Sequence, residues 1–310
     1  MWYWWALGCA AAALLLVAAV SNRLAFSVIR PPRDTREEAE RQEIERGNLA
    51  LGELDSFPLE EKEASAFDGV TLKYFWYRAD GPTNRACVLC HGFGSRREHM
   101  LKYAKLYHER GYDVLLFDHR NSGDSGGKFT TMGYKERKDL QLMVALARAD
   151  KAAFGGRAVV GAHGESMGGA TVLLTACMDA PPDFVVSDCA YADLREQLLY
   201  HLRHAKHLPP QPFAPIAERI ARHRAGFAFS EVSPLGELKR KNGLPELPIL
   251  FAHGEADTLI PCEAAKKLYA AKKGKKRLYL CPNAGHARSI AANREAYRAA
   301  LFDFLDEYHF

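Results

Sequence analysis

The 310-residue sequence lacks the features that mark several common classes of protein. It has no internal repeat, no low-complexity tract, no glycine-rich dinucleotide fingerprint and no P-loop, so no nucleotide cofactor is expected. Its formal net charge of +4 is too small to indicate a nucleic-acid partner. With 48% hydrophobic and 26% charged residues, the composition is that of a globular protein with a sizeable core, arranged as one large domain or two small ones.

The seven cysteines are few, odd in number and scattered, and they give no disulfide framework. Cys87 and Cys90 have the spacing of a redox or zinc pair, but they fall inside a predicted strand, residues 86–90. Side chains three positions apart on a strand point to opposite faces, so we expect buried thiols that act as small hydrophobic groups. A polar helix face, in preference to a metal site, is also expected for three histidines that recur every third residue: His201, His204 and His207.

Charged side chains are absent from residues 1–20, which are almost wholly apolar. As a helix this segment would span about 30 Å, the thickness of the hydrocarbon core of a bilayer. A secretory signal peptide is the alternative, but it should carry Lys or Arg before its apolar stretch, and none is present. We therefore predict an uncleaved membrane anchor over residues 1–22. Because Arg23, Arg30 and Arg33 follow it, the positive-inside rule favours a cytoplasmic C-terminal domain, although the orientation stays open.

A charge-dense stretch separates this apolar segment from the rest of the chain. Residues 23–63 contain a proline pair and a long charged run, which predicts a solvated tether. Over residues 64–310, short apolar runs alternate with amphipathic ones, which predicts an α/β domain with a mainly parallel sheet and helices on both faces. The alternation is interrupted at about 191–240, where helical and proline-rich segments predict a small helical cap insertion above the strand ends.

The stretch from Gly161 to Gly169 organises the predicted domain. It follows an apolar run typical of a buried strand and precedes a run typical of a buried helix. Between them, Gly164-x-Ser166-x-Gly168 has the form of a nucleophile elbow, a sharp strand-to-helix turn whose central residue is strained. Glycines are needed because side chains at those two positions would collide with the neighbouring strand and helix. The turn lifts the Ser166 hydroxyl clear of the sheet, at a helix N-terminus that favours negative charge.

Two other strand-end loops carry the groups that a nucleophilic serine requires. His286 follows the last predicted strand and would take the serine proton as a general base. Asp257 follows the strand before it and would hold the imidazole in the correct tautomer. Asp188, at the end of an earlier strand, is a rival for this acidic role, and Asp257 is preferred for its loop pattern. Three separate loops thus converge on one chemistry.

From about residue 64 onward the chain resembles the α/β-hydrolase superfamily, whose catalytic residues follow the same order of Ser, Asp and His. The sequence His91-Gly92-Phe93-Gly94 is similar to the oxyanion loop of that family. The resemblance implies the α/β-hydrolase fold and an oxyanion hole made by the backbone N–H groups of Phe93 and Met167, with His91 and Gly92 supporting the loop. It implies no metal and no cofactor.

The resemblance implies a serine hydrolase that works by acyl transfer. The insertion is similar to the short cap of membrane-anchored bacterial hydrolases described as serine aminopeptidase-like. A carboxylic ester or thioester is the favoured substrate, and a peptide is the second choice. The alternative from another class is a catalytically silent, membrane-tethered binding protein, which would lack part of the triad or the oxyanion loop. The expected partners are a small acyl substrate and the membrane, while the oligomeric state cannot be read from the sequence.

Overall fold

The computed structural model describes residues 2–310, and an eight-stranded sheet forms its centre. In chain order the strands are β1 (Leu59–Ser65), β2 (Thr71–Tyr77), β3 (Arg85–Cys90), β4 (Asp113–Phe117), β5 (Val159–Glu165), β6 (Val185–Asp188), β7 (Ile249–Gly254) and β8 (Lys276–Cys281). Their order across the sheet is β1-β2-β4-β3-β5-β6-β7-β8. Strands β3 to β8 run parallel, and β2 is antiparallel to both of its neighbours. The predicted α/β class with a mainly parallel sheet is confirmed.

Helices cover the sheet on both faces. In chain order they are α1 (Trp2–Ile29), α2 (Arg36–Glu45), α3 (Leu101–Glu109), α4 (Glu136–Ala152), α5 (Met167–Ala176), α6 (Leu194–His204), α7 (Phe213–Ala225), α8 (Pro234–Arg240), α9 (Glu263–Ala271), α10 (Ser289–Ala292) and α11 (Arg294–Glu307). Short 3-10 turns lie at Glu53–Ser56, Arg97–Met100 and Phe229–Glu231. Helices α6, α7 and α8 fall between β6 and β7, in the stretch where the sequence predicts a cap.

Two apolar clusters, one on each face of the sheet, make up the core. Because a strand presents alternate side chains to opposite faces, Cys90 belongs to one cluster and Cys87 to the other. Both thiols are buried and free. Burial in apolar surroundings raises the pKa of each thiol, so neither is disposed to ionise. The pair acts as packing material, as the strand alternation predicts.

Helix α1 is longer than the predicted anchor, which ended at residue 22. Among residues 2–310 it is the one helix with the length and composition to cross a membrane, a test that a signal sequence at the N-terminus also passes. Its first part is exposed, whereas Ser21, Ala25 and Ile29 are buried against the rest of the protein. The last two turns of α1 therefore belong to the packed body of the molecule.

The expectation of a solvated tether over residues 23–63 is wrong. Helix α2 lies inside this stretch and starts with a capping box, in which Thr35 accepts a hydrogen bond from the N–H of Glu38 and donates its own N–H to the Glu38 carboxylate. Its residue Glu43 is buried against His99, and β1 begins at residue 59. The charged run does not extend into solvent because its charges find partners on the domain.

We expect Gly168→Ala to lower the free energy of unfolding by about 3 kcal/mol or more, because overpacking against backbone leaves little room to relax. A Cβ at this position would lie 2.0 Å from the carbonyl oxygen of Cys90. The ordinary helix preference for Ala over Gly, about 1 kcal/mol, is too small to compensate. Urea unfolding of the detergent-solubilised protein measures the loss.

Gly81→Ala is the matched control, since a Cβ at Gly81 meets nothing within 4 Å. Its stability should change by less than about 0.5 kcal/mol, as is usual for surface substitutions. Equal stabilities for the two variants would contradict the close backbone crossing at Gly168.

Candidate active site

The site is built on the turn between β5 and α5. Ser166 occupies this turn with φ 57° and ψ −115°, a conformation that costs a residue with a side chain about 1–3 kcal/mol. A Cβ at Gly164 would lie 2.2 Å from the backbone of Gly168, and one at Gly168 would meet Cys90 at the end of β3. The turn is therefore possible only with glycine on both sides of the serine, as the motif predicts.

Three loops at the C-terminal edge of the sheet bring Ser166, His286 and Asp257 together. The Ser166 Oγ lies 2.9 Å from Nε2 of His286, and Nδ1 of the same ring lies 2.7 Å from Oδ2 of Asp257. Both distances are hydrogen bonds, so the imidazole is held between the hydroxyl and the carboxylate. With Nδ1–H donating to Asp257, the other ring nitrogen is left to accept the serine proton.

Asp257 is held as a carboxylate by its surroundings. Its side chain is fully buried, and Oδ1 accepts the backbone N–H groups of Leu259 and Ile260 at 2.9 Å each. Burial alone would raise the pKa of Asp257, but hydrogen bonds from His253 and His286 outweigh it and hold the pKa well below its usual range. His253 thus supports the acidic residue, through a contact that the sequence pattern does not reveal.

Asp188, the rival acid, lies in a different environment. Its Oδ2 accepts a hydrogen bond from Tyr103 at 3.0 Å, and its Oδ1 has no hydrogen-bond partner within residues 2–310. Burial, reinforced by the nearby carboxylate of Glu165, raises the pKa of Asp188 above its ordinary value. The carboxyl that hydrogen-bonds His286 is that of Asp257.

The loop after β3 approaches the serine closely. A Cβ at Gly92 would lie 3.4 Å from the Ser166 Cβ, and Phe93 and Met167 line the same cavity as Ser166. In the part of the chain that the structure describes, no acceptor takes the backbone N–H of Phe93 or Met167. Two free donors therefore lie beside the hydroxyl.

His91 fixes the start of this loop. Its Nδ1 donates to the carbonyl of Gly92 at 2.8 Å, and its Nε2 accepts the backbone N–H of His119 at 3.0 Å. One nitrogen must donate and the other accept, so the ring is neutral. Burial lowers the pKa of His91 to about 4, which keeps the ring neutral at physiological pH.

A buried ionic cluster lies behind Ser166, and sequence reasoning missed it. Lys102 is fully buried, and its Nζ lies 2.8 Å from Glu165, the residue before Ser166, and 3.6 Å from Glu43 on α2. His99 bridges the same Glu43 at 2.8 Å and Asp34 at 3.0 Å. Within this cluster, carboxylates of the N-terminal segment offset cations of the domain. Its members are too far apart in sequence for spacing to reveal them.

The cluster favours its charged forms. Burial alone would raise the pKa of Glu43, but Lys102 and His99 lower it to about 2. Burial would lower the pKa of His99, yet hydrogen bonds to Asp34 and Glu43 raise it. Burial also opposes the charge on Lys102, and the attraction of Glu165 and Glu43 raises its pKa nonetheless. A network of this kind holds the N-terminal segment firmly beside β5.

The parallel sheet with a strained serine turn after β5 defines an α/β hydrolase. Residues 99–309 match the prolyl oligopeptidase family, and the chain belongs to that family. It is similar to YqkD, an uncharacterized protein of Bacillus subtilis strain 168, with 36% identity over 301 residues that cover 94% of each chain.

Two further similarities concern hydrolases with stated activities. The Pyrococcus furiosus esterase Pf2001 has 25% identity and a TM-score of 0.68, over 90% of this chain and 98% of the esterase. The lysophosphatidylserine lipase ABHD12 of Danio rerio is 25% identical over 206 residues, which are 63% of this chain and 49% of the lipase. The chain is a hydrolase of the α/β class.

Glu43→Gln should lower the free energy of unfolding by roughly 3 kcal/mol at neutral pH, because it removes one partner of a buried ionic cluster. A carboxylate whose pKa is lowered on folding, here from 4.5 to about 2, stabilises above the unfolded value and loses that contribution as the pH falls. The difference in unfolding free energy between wild type and variant should therefore decrease as the pH falls from 4.5 towards 2. Denaturant unfolding across this pH range measures it.

Glu45→Gln serves as the control, since Glu45 is exposed on the same helix and lies 4.0 Å from its nearest cation, Arg41. It should change stability by less than about 0.5 kcal/mol. If the loss of unfolding free energy caused by Glu43→Gln does not change with pH, the ionic role assigned to Glu43 is contradicted.

Proposed function

We propose that this protein is a membrane-anchored serine hydrolase that cleaves carboxylic esters or thioesters by acyl transfer. The observation that carries the proposal is the hydrogen-bonded chain from Ser166 through His286 to Asp257, at 2.9 Å and 2.7 Å. A serine hydroxyl is a weak nucleophile unless an oriented base accepts its proton, and this arrangement supplies both the base and its orienting acid.

In the first half of the reaction the Ser166 Oγ attacks the carbonyl carbon of the substrate while its proton passes to Nε2 of His286. Asp257 stabilises the resulting imidazolium. The negative charge that develops on the carbonyl oxygen accepts hydrogen bonds from the backbone N–H groups of Phe93 and Met167, each typically worth about 10²- to 10³-fold in rate. Collapse of this intermediate breaks the bond to the leaving alcohol or thiol, which takes the proton from His286.

The second half repeats these steps with water. His286 removes a proton from a water molecule, the hydroxyl attacks the acyl carbon, and the same two N–H groups bind the oxyanion. The acid leaves as Ser166 recovers its proton from His286. Atoms and protons balance with the residues of this chain and one water molecule.

The lining of the cavity favours an acyl chain over a peptide. This cavity, of about 230 Å³, is walled mainly by apolar side chains, among them Met132, Leu198 and Ile260, with Gln197, His201 and Lys206 as polar members of its lining. Peptide N–H and C=O groups that lie against the apolar part would stay unpaired, at a cost of about 1–3 kcal/mol each. A serine peptidase is the second candidate, since the matching family is that of prolyl oligopeptidase and the same triad cleaves amides.

We also propose that α1 anchors the protein in a membrane. Residues 2–16 are all exposed and predominantly apolar, which suits hydrocarbon and not water. The arginines that follow this segment favour a cytoplasmic hydrolase domain.

Ser166→Ala should reduce ester turnover by at least about 10³-fold, because the nucleophile is lost while any binding and oxyanion stabilisation remain. The assay uses the full chain in detergent micelles with p-nitrophenyl esters from acetyl to palmitoyl. A fluorophosphonate probe should label wild type and not the variant. Folded wild type that resists labelling would contradict the serine mechanism. Turnover of a peptidyl anilide in preference to every ester would favour the peptidase.

Replacing each of the two aspartates by asparagine tests which acid orients His286. Asp257→Asn should lower kcat by roughly 10⁴-fold, since an amide selects the wrong imidazole tautomer. Asp188→Asn should retain most of the wild-type kcat, because Asn can still accept the hydrogen bond from Tyr103. The reverse ranking would assign the role to Asp188.

A further inference from the structure

The last two turns of α1 are fixed to the cap and to the loops around the nucleophile. Its buried residues Ser21, Ala25 and Ile29 recur every fourth position, and the adjacent α7 buries alanines at the same spacing, which allows the two helices to pack closely. The carbonyl of Ile29 accepts the N–H of Thr130 at 2.9 Å. The N–H of Asp34 then donates to the carbonyl of Gly94 at 3.1 Å, in the loop after β3.

Residues of this fixed segment line the space next to the nucleophile. Ser27 and Val28 of α1 form part of the wall of the cavity that contains Ser166. A smaller cavity of about 70 Å³ adjoins it, and the residues common to both are Ser27, Val28, Leu198, His201 and Lys206, whereas Leu24 lines only the smaller one. A groove with an apolar wall along α1, and with His201 and Lys206 among its polar residues, therefore runs from Ser166 past Val28 to Leu24.

If α1 is the membrane anchor proposed above, the outer end of this groove lies close to the hydrocarbon of the bilayer. At about 1.5 Å per residue, residues 2–20 span about 28 Å, close to the ~30 Å thickness of a hydrocarbon core. The first charged residue, Arg23, then lies at the interface and Leu24 comes directly after it. Val28 follows one turn further, nearer to the nucleophile.

A second cavity at Ser166 is polar. A cavity of about 150 Å³ contains Ser166 and His286 and is lined by charged and polar side chains: Asp34, Gln42, Arg46, Ser95 and His99. An apolar groove and a polar cavity therefore meet at the hydroxyl. Such a division suits a molecule with a hydrocarbon chain on one side of its ester bond and a polar alcohol on the other.

We infer that the substrate is a single-chain amphiphile from the membrane, an acyl ester of a polar alcohol whose hydrocarbon chain lies against α1. This inference rests on the proposed serine hydrolase function and adds the substrate class to it. It also gives α1 a second role: the helix that anchors the protein forms one wall of the acyl groove. The acyl chain would enter past Leu24 and Val28, and its ester carbonyl would reach Ser166 as the polar alcohol occupies the cavity beside Arg46.

Two bulky substitutions at different depths of the groove test the inference. The full-length protein in phospholipid vesicles is given p-nitrophenyl esters from acetyl to palmitoyl. Val28→Trp should lower the ratio of palmitoyl to acetyl kcat/KM by at least about tenfold, because loss of fit for even one methylene costs about that much. Leu24→Trp, further from Ser166, should reject the longest chains while accepting medium ones.

Leu15→Trp is the control, since Leu15 lies on the same helix and is 72% exposed, away from the groove. It should leave the chain-length profile unchanged. Labelling by a small fluorophosphonate verifies that each variant has an assembled site. If Val28→Trp is not labelled, the chain-length profile of Leu24→Trp alone tests the groove. In the same vesicles wild type should release palmitate from 1-palmitoylglycerol, and each blocking variant should do so more slowly.

The outcomes separate the two proposals. An unchanged chain-length profile in both blocking variants, with Ser166-dependent turnover of short esters, overturns the groove and leaves the hydrolase standing. If wild type releases no palmitate from 1-palmitoylglycerol, although it hydrolyses the p-nitrophenyl esters, the inference of an amphiphilic substrate is overturned. If the wild-type protein shows no activity that depends on Ser166, both proposals are overturned.

Discussion

The backbone at Ser166 is held in a strained conformation by the close crossing of β5, the start of α5 and the end of β3. The strain of about 1–3 kcal/mol persists because the surrounding sheet and helix leave the turn no alternative path. It places the hydroxyl above the sheet edge, within 2.9 Å of His286, with the N–H of Met167 beside it. Without this turn the hydroxyl would not reach His286, and the hydrogen bond between the two side chains could not form.

A second constraint couples this turn to the N-terminus. Glu165, the last residue of β5, pairs with the buried Lys102, and Lys102 also faces Glu43 of α2. Removing any one carboxylate would leave a cation buried with too little compensation, so the three elements are held as one unit. Between α2 and α1 there is only a short connection, and it is fixed to the loop after β3 through Asp34. Helix α1 and the candidate site therefore form one structure.

The sequence predicted what depends on local pattern. Alternating apolar runs indicated the parallel sheet, and the glycines around Ser166 indicated a sharp turn, because both features arise from residues close in the chain. The proximity of Ser166, Asp257 and His286 followed from placing their loops at one edge of that sheet. Their catalytic roles remain our proposal.

The packing of the N-terminal stretch could not be predicted. A run of charges with no visible partner indicates a solvated segment, and the partners His99 and Lys102 lie more than fifty positions beyond Glu43. For the same reason nothing in residues 21–29 indicated that small side chains would pack against an equally spaced set on α7. Sequence alone likewise gives no sign that Asp188 accepts a hydrogen bond from Tyr103, because that contact joins residues far apart in the chain.

The most direct test is an experimental structure of the full-length protein after reaction with a hexadecyl fluorophosphonate. We predict phosphorus bonded to the Ser166 Oγ, its free oxygen between the N–H groups of Phe93 and Met167, and the alkyl chain lying along α1 in contact with Val28. An adduct on another residue would contradict the serine mechanism. A chain directed away from α1 would contradict the proposed role of this helix as a wall of the site.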